Sequence, residues 1–119
     1  MIKGCGTLNI IANERMIEDV LHIEVEGEID AYTAPQLKER AASIDWTEET
    51  AVIIDLSNVT YMDSTGLGVF VGIYKRANAA KSQFQLRGLN DRLYRLFEIT
   101  GLDEVIDIEK ESGDLDAKI

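Results

Sequence analysis

A short apolar run near the middle of the sequence, Ala51–Leu56, constrains the fold most. Its residues are apolar except for Asp55, which is typical of a strand covered by other elements on at least one face. A helix is predicted on either side of this run, one beginning after Thr33 and stopping near residues 43–46, the other over Thr65–Ala79. Strands that alternate with helices pair in parallel through crossover connections. The run therefore predicts a central strand in an α/β fold.

The N-terminal third predicts a β-hairpin ahead of that alternation. Thr7–Ala12 is apolar and β-prone, Asn13–Arg15 interrupts it, and Val20–Glu26 then alternates apolar and polar residues with the period of a half-buried strand. Gly27 ends the second run. The predicted fold class is α/β: a mixed β-sheet opened by an antiparallel hairpin, with helices packed against it.

Capping residues mark the predicted helix boundaries. Thr33 is the expected N-cap of the first helix, with Gln36 completing a capping box and Pro35 in the first turn. Asn90 is the expected cap of a third helix, which Gly101 ends. Two further short strands are predicted over Phe84–Leu86 and Val105–Ile108.

Length, charge and residue usage exclude several classes of function. The 119 residues carry a net charge of −10, and we expect one domain over residues 1–119 with a frayed acidic tail at about 110–119. So acidic a chain does not favour direct binding to nucleic acid. No apolar run is long enough to span a membrane, no signal-peptide pattern is present, and the lone Cys5 fits a reducing compartment, so we expect a cytoplasmic protein. One cysteine and one histidine do not supply four zinc ligands, and neither a metal nor another cofactor is expected.

The segment Asp63–Gly68 has the strongest indication of a functional site. Its hydroxyls, Ser64 and Thr65, stand at a predicted helix start, where unpaired N–H groups and the helix dipole favour an anionic group. Its two glycines lie inside the helix, where each costs about 1 kcal/mol relative to Ala, and their small size would let another molecule's backbone come close. The alternative is that Asp63 or Ser64 is only an N-cap.

Three segments together resemble one known family. Tyr61–Gly72 closely resembles the phosphorylation-site segment of bacterial anti-anti-sigma factors, which are small STAS proteins, and it is most similar to the general-stress type. Gly27–Pro35 is similar to the family's loop between the second strand and the first helix, and Arg95–Leu102 to its third-helix motif. The resemblance spans residues 8–110 in one register.

The resemblance implies a regulatory partner switch and not an enzyme. It implies Ser64 as the phospho-acceptor, an anti-sigma factor with serine kinase activity as the partner, and a metal-dependent serine phosphatase of the PP2C type as the enzyme that restores the active form. The unphosphorylated form would bind the anti-sigma factor and release the sigma factor for transcription. A sporulation-type antagonist or a signalling scaffold is the alternative. The residues expected to contact the partner are Glu28, Asp30, Asp63, Thr65, Gly66, Leu67 and Gly68.

A phosphate on Ser64 is expected to act through its charge. It adds about −1.5 to −2 charges, which the free N–H groups of the helix start are expected to receive without unfolding the protein. Glu28, Asp30 and Asp63 are expected at the same end of the sheet. The phosphate would then repel a partner that approaches this acidic surface.

Other classes of function lack the residues they need. A serine hydrolase needs an activating base, but His22 is the sole histidine and no Gly-x-Ser-x-Gly pattern occurs. A phospho-aspartate receiver needs an acidic cluster after its first strand, and the opening hairpin disrupts that arrangement. A nucleotide-binding module needs a glycine-rich phosphate loop, and neither common pattern is present.

Overall fold

The computed structural model of the protein describes residues 10–111. Within them a five-stranded mixed sheet packs against three α-helices, which confirms the predicted fold class. The strands are β1 (Ile10–Ile17), β2 (Val20–Ile29), β3 (Ala51–Met62), β4 (Gln83–Leu89) and β5 (Asp107–Lys110). The helices are α1 (Ala34–Ala42), α2 (Ser64–Ala80) and α3 (Asp91–Ile99), and a 3₁₀ turn spans Leu102–Glu104.

The strands lie side by side in chain order. β1 pairs antiparallel with β2, and each later pair of neighbours is parallel. Parallel neighbours are joined by right-handed crossovers, so three crossovers stepping in one direction put all three helices on one face. The burial pattern agrees, because Val52, Ile54 and Leu56 of β3 are buried whereas the intervening Ile53 and Asp55 are half-buried.

One cluster of apolar side chains fills the space between the sheet and the helices. Phe70 of α2 and Phe97 of α3 are fully buried in it, with their ring centroids 6.3 Å apart. Burying each of these side chains contributes about 1.5–3 kcal/mol. Because this packing fixes the helices on the sheet, the starts of α1 and α2 are held beside the carboxyl ends of β2 and β3.

The predicted interruption of the first strand is wrong. β1 continues through Asn13–Arg15, and the chain reverses at Glu18 and Asp19, whose φ angles are 51° and 69°. Two residues with positive φ form the tight turn that matches the twist of a hairpin. The polar residues do not break β1 because its side chains are largely exposed, and the Arg15 guanidinium lies 2.8 Å from the Glu24 carboxylate across the strand pair.

Other strand boundaries also differ from those predicted: β2 continues through Gly27 to Ile29, and β4 spans Gln83–Leu89. β3 extends well past the apolar run, because Val59 and Met62 continue its buried side. β5 begins later than Val105, since the 3₁₀ turn and the buried Ile106 precede it.

The predicted ends of α3 are confirmed. The Asn90 side chain accepts a hydrogen bond from the Leu93 N–H at 2.9 Å, which caps the helix start. Gly101 follows the last turn with a φ of 78°, in the left-handed region that glycine adopts freely.

The first nine residues, including Cys5, and residues 112–119 lie outside the described residues, so these parts of the predicted first strand and tail are not described. Lys110 is the last residue of β5, and the Glu111 N–H donates to the Leu89 carbonyl at 3.0 Å. No helix within residues 10–111 has the length and apolar character needed to cross a membrane.

Candidate functional site

Two loops meet at the carboxyl ends of the neighbouring strands β2 and β3. Ile29 is in register with Met62, and the Asp63 N–H donates to the Ile29 carbonyl at 3.2 Å. This hydrogen bond joins the end of β2 to the start of α2. The predicted site residues Glu28 and Asp30 therefore lie beside the Asp63 segment, as the order of strands and helices led us to expect.

Gly66 allows α2 to start this close to β2. A Cβ atom on Gly66 would lie 2.7 Å from the Ile29 Cγ2 atom, 2.7 Å from the Met62 Cγ atom and 3.1 Å from the Ile29 carbonyl oxygen. Gly66 is buried, and Leu67 beside it is only 9% exposed and joins the core. These two predicted contact residues lie beneath the surface and position the helix start.

Asp63 is the N-cap of α2. Its carboxylate Oδ1 accepts the N–H of Thr65 at 2.9 Å and the N–H of Gly66 at 3.2 Å, and its carbonyl accepts the N–H of Leu67 at 3.1 Å. The expectation that free N–H groups of the helix start receive a phosphate is wrong for Thr65 and Gly66, because the Asp63 carboxylate already accepts both of their N–H groups. A phosphate on Ser64 would lie next to that carboxylate.

Ser64 is the first residue of α2 and is exposed. Its hydroxyl makes no hydrogen bond within residues 10–111, and Thr65 beside it is exposed as well. The Ser64 oxygen is thus accessible to an incoming group, on which it could act as a nucleophile. His22 is six residues before Glu28 in β2, which at 3.3 Å per residue is about 20 Å along the strand, so the position of this histidine gives no support to a serine–histidine pair.

The loop between β2 and α1 is held by Asp30 and Thr33. The Asp30 carboxylate accepts the N–H groups of Tyr32 at 2.9 Å and of Thr33 at 3.1 Å. The Thr33 hydroxyl donates to the Glu28 carbonyl at 2.6 Å and accepts the Asp30 N–H at 3.0 Å. Thr33 is 3% exposed and occupies the N-cap position without a side-chain cap bond, so the predicted capping box is wrong: its hydroxyl is turned back into the loop.

Glu28 and Asp30 consequently differ in what they can offer a partner. Asp30 uses its carboxylate inside the loop, whereas the exposed Glu28 carboxylate has no hydrogen bond or ion pair within the described part of the chain. Together with Asp63 they make this end of the sheet acidic. No group of three potential metal-ligating side chains occurs among residues 10–111.

Two exposed tyrosines also lie at this site, and the sequence motifs did not single them out as functional residues. Tyr32 is 74% exposed in the loop, and Tyr61, in register with Glu28, is 46% exposed. Tyrosine is enriched at protein interfaces, where its ring is buried and its hydroxyl still finds a partner. Tyr32 lies within Gly27–Pro35 and Tyr61 begins Tyr61–Gly72, so an aromatic residue in each of these two segments was the available signal.

The remaining predicted contact residue, Gly68, lies one turn further along α2. It is exposed, and a Cβ atom built on it would meet nothing within 4 Å. Packing within the described protein therefore explains Gly66 but not Gly68.

Comparison with known proteins places this arrangement in a family. The model of the STAS domain matches residues 12–115. The chain is 52% identical over 97 residues to the anti-sigma-B factor antagonist of Listeria monocytogenes, covering 82% of this chain and 85% of the relative. It is 42% identical over 106 residues to the anti-sigma-B factor antagonist of Bacillus subtilis, covering 88% and 95%. The crystal structure of an anti-sigma factor antagonist from Mycobacterium paratuberculosis superposes with a TM-score of 0.78 at 26% identity, covering 91% and 92%.

Proposed function

This chain belongs to the STAS domain family, and we propose that it is an anti-sigma factor antagonist whose binding to its partner is switched by phosphorylation of Ser64. Relatives at 52% and 42% identity carry the name anti-sigma-B factor antagonist, which supports the general-stress type over the sporulation type or a scaffold. We further propose that residues 1–119 act as one domain, in the cytoplasm.

The observation that carries the proposal is the position of Ser64. Its hydroxyl is exposed at the start of α2 and bonded to nothing in the described protein. The residues that fix its place, Asp63 and Gly66, hold the backbone and leave that oxygen accessible. A rigid backbone under a free hydroxyl suits a side chain that another protein must reach.

In the proposed switch the unphosphorylated protein binds the anti-sigma factor and frees the sigma factor. The anti-sigma factor is also the proposed serine kinase: the Ser64 oxygen attacks the γ-phosphorus of ATP, ADP leaves, and a base of the kinase takes the hydroxyl proton. A phosphatase of the PP2C type, with its own metal ions, hydrolyses the phosphoserine and restores the hydroxyl. The protein itself contributes the acceptor and the docking surface, not the catalytic groups.

Charge explains how one phosphate can release the partner. The new group brings about −1.5 to −2 charges to a surface that already has Glu28, Asp30 and Asp63. The Asp63 carboxylate holds the N–H groups of Thr65 and Gly66, so these two groups are not free to neutralise the phosphate. We propose that the partner presents a negative group here, because like charges brought together across an interface cost several kcal/mol, and about 1.4 kcal/mol is tenfold in affinity.

The test combines phosphate mapping with binding. The protein is incubated with the anti-sigma factor of its own organism and ATP, the phosphopeptide is mapped by mass spectrometry, and both forms are titrated by calorimetry. We expect phosphate on Ser64, none on Ser64→Ala, and retained phosphorylation of Thr65→Ala. Phosphate outside this segment or on Thr65 alone would contradict the acceptor assignment, and failure of the folded, unphosphorylated protein to bind would contradict the antagonist role.

A further inference from the structure

A groove runs between α1 and α2 and opens beside the Ser64 site. Its volume is about 490 Å³, and its walls are Ala34, Pro35 and Lys38 of α1 and Gly68, Gly72 and Arg76 of α2. Thr65, the neighbour of Ser64, lines one end. From Thr65 to Arg76 the groove follows α2 for about 16 Å, at 1.5 Å per residue, or three helical turns.

The two glycines in this wall have no role in packing the protein. A Cβ atom on Gly68 or on Gly72 would meet nothing within 4 Å, and both residues are exposed. Glycine lowers the stability of a helix interior, so their presence disfavours α2 and gains no internal contact. Four residues apart, they lie on the same side of the helix and leave its backbone bare towards the groove. A bare helix surface admits the close approach of another backbone.

The charges at the groove are opposite in sign to those of the protein as a whole. The chain carries a net charge of −10, yet Lys38 and Arg76 both line the groove. Neither takes part in any of the four ion pairs found within residues 10–111, and both are exposed. An apolar groove with one unpaired cation on each wall is complementary to an acidic segment of a partner.

From these observations we propose that the α1–α2 groove receives an acidic helix of the anti-sigma factor, packed against Gly68 and Gly72 with its carboxylates at Lys38 and Arg76. The inference rests on the proposed function and specifies where and how the partner docks. Since the groove begins at Thr65, a phosphate on Ser64 stands at the mouth of the groove and repels the acidic helix there.

The steric part is tested with Gly72→Leu, matched by Asn78→Leu on the same helix. Asn78 is exposed and does not line the groove. Gly72 is two turns from Ser64, so its replacement leaves the acceptor site untouched. We expect Gly72→Leu to raise the dissociation constant for the anti-sigma factor at least tenfold while its thermal midpoint does not fall, and Asn78→Leu to change binding less than threefold. Equal binding by the two variants would overturn the proposal.

The electrostatic part is tested with Arg76→Glu, matched by Lys75→Glu. The two variants change the net charge equally, and Lys75 is exposed outside the groove. We expect at least a tenfold loss of affinity for Arg76→Glu, with a weaker salt dependence than the wild type, and less than a threefold loss for Lys75→Glu. Equal losses would mean that overall charge alone matters, and the groove assignment would be wrong.

Two outcomes separate this inference from the proposed function. If the wild type binds the anti-sigma factor and neither matched pair differs, the groove is not the docking site while the proposed function stands. If the wild type does not bind the anti-sigma factor, the proposed function fails. The assignment of an anti-sigma factor helix to the groove then fails as well. Light scattering after gel filtration completes the test: a wild-type dimer that Gly72→Leu dissociates would identify a second copy of this chain as the occupant and overturn the proposal.

Discussion

The two glycines Gly66 and Gly68 should respond in opposite ways to the same substitution. At Gly66 the new methyl group would lie 2.7 Å from the Ile29 Cγ2 and Met62 Cγ atoms, well inside van der Waals contact. Ile29 is β-branched and fully buried, so it yields little, and overpacking of this kind costs about 1–3 kcal/mol. The gain in helix propensity offsets at most about 1 kcal/mol, leaving Gly66→Ala destabilising by about 0–2 kcal/mol.

At Gly68 the methyl group meets nothing within 4 Å, so only the propensity term remains. Gly68→Ala should stabilise the protein by about 1 kcal/mol. The two variants are therefore expected to differ by about 1–3 kcal/mol in the free energy of unfolding. Urea unfolding followed by circular dichroism measures both, provided that the slopes with urea agree. A Gly66→Ala protein as stable as Gly68→Ala would refute the packing argument for the start of α2.

Three further predictions concern the site itself. Asp63→Ala removes the carboxylate that accepts the Thr65 and Gly66 N–H groups and should lower the free energy of unfolding by about 0.5–2 kcal/mol; unchanged urea unfolding would count against this cap. Glu28→Gln should leave stability unchanged, whereas Asp30→Ala should destabilise the protein by about 1–3 kcal/mol because it leaves the N–H of the buried Thr33 unpaired; the opposite pattern in urea unfolding would show that the roles are reversed. Ser64→Asp should raise the dissociation constant at least tenfold, about 1.4 kcal/mol, with little change in thermal midpoint, and Ser64→Ala should still bind; weaker binding that tracks a lower midpoint would instead point to unfolding.

The sequence predicted those elements whose side chains divide cleanly into a buried and an exposed face. Val20–Glu26 shows the period of two, so β2 was expected. The third helix was expected from Asn90 and Gly101 at its ends, and its buried Leu93 and Phe97 lie four residues apart on one helix face. The hairpin turn was misplaced because Glu18 and Asp19 lack the glycine or asparagine that usually marks positive φ. The polar residues of β1 were interpreted as the end of the strand. They lie within it because β1 is an edge strand whose side chains are almost all exposed.

The candidate site was found from its motif. The sequence did not predict which of its residues hold the backbone in place and which remain available to a partner. A sequence does not show that the Thr33 hydroxyl turns back to the Glu28 carbonyl, since that direction depends on how the β2–α1 loop closes. Nor does it distinguish Gly66 from Gly68, because much of the difference lies in Ile29, a residue 37 positions away in the chain. Both distinctions follow from contacts between segments, which the pattern of a single segment does not contain.

A comparison of magnitudes explains why a phosphate on Ser64 should change binding before it changes folding. Its worst local effect on the fold is to displace Asp63 from the helix N–H groups, and loss of that cap amounts to about 0.5–2 kcal/mol. A domain is stable by about 5–15 kcal/mol, so it remains folded. The free energy of binding has no comparable margin. Several kcal/mol of like-charge repulsion reduce the affinity by a factor of about 100 or more. The fold can accept the phosphate because Gly66 and the buried residues beneath it hold α2 on the sheet independently of the cap, which leaves the surface as the part of the protein that senses the charge.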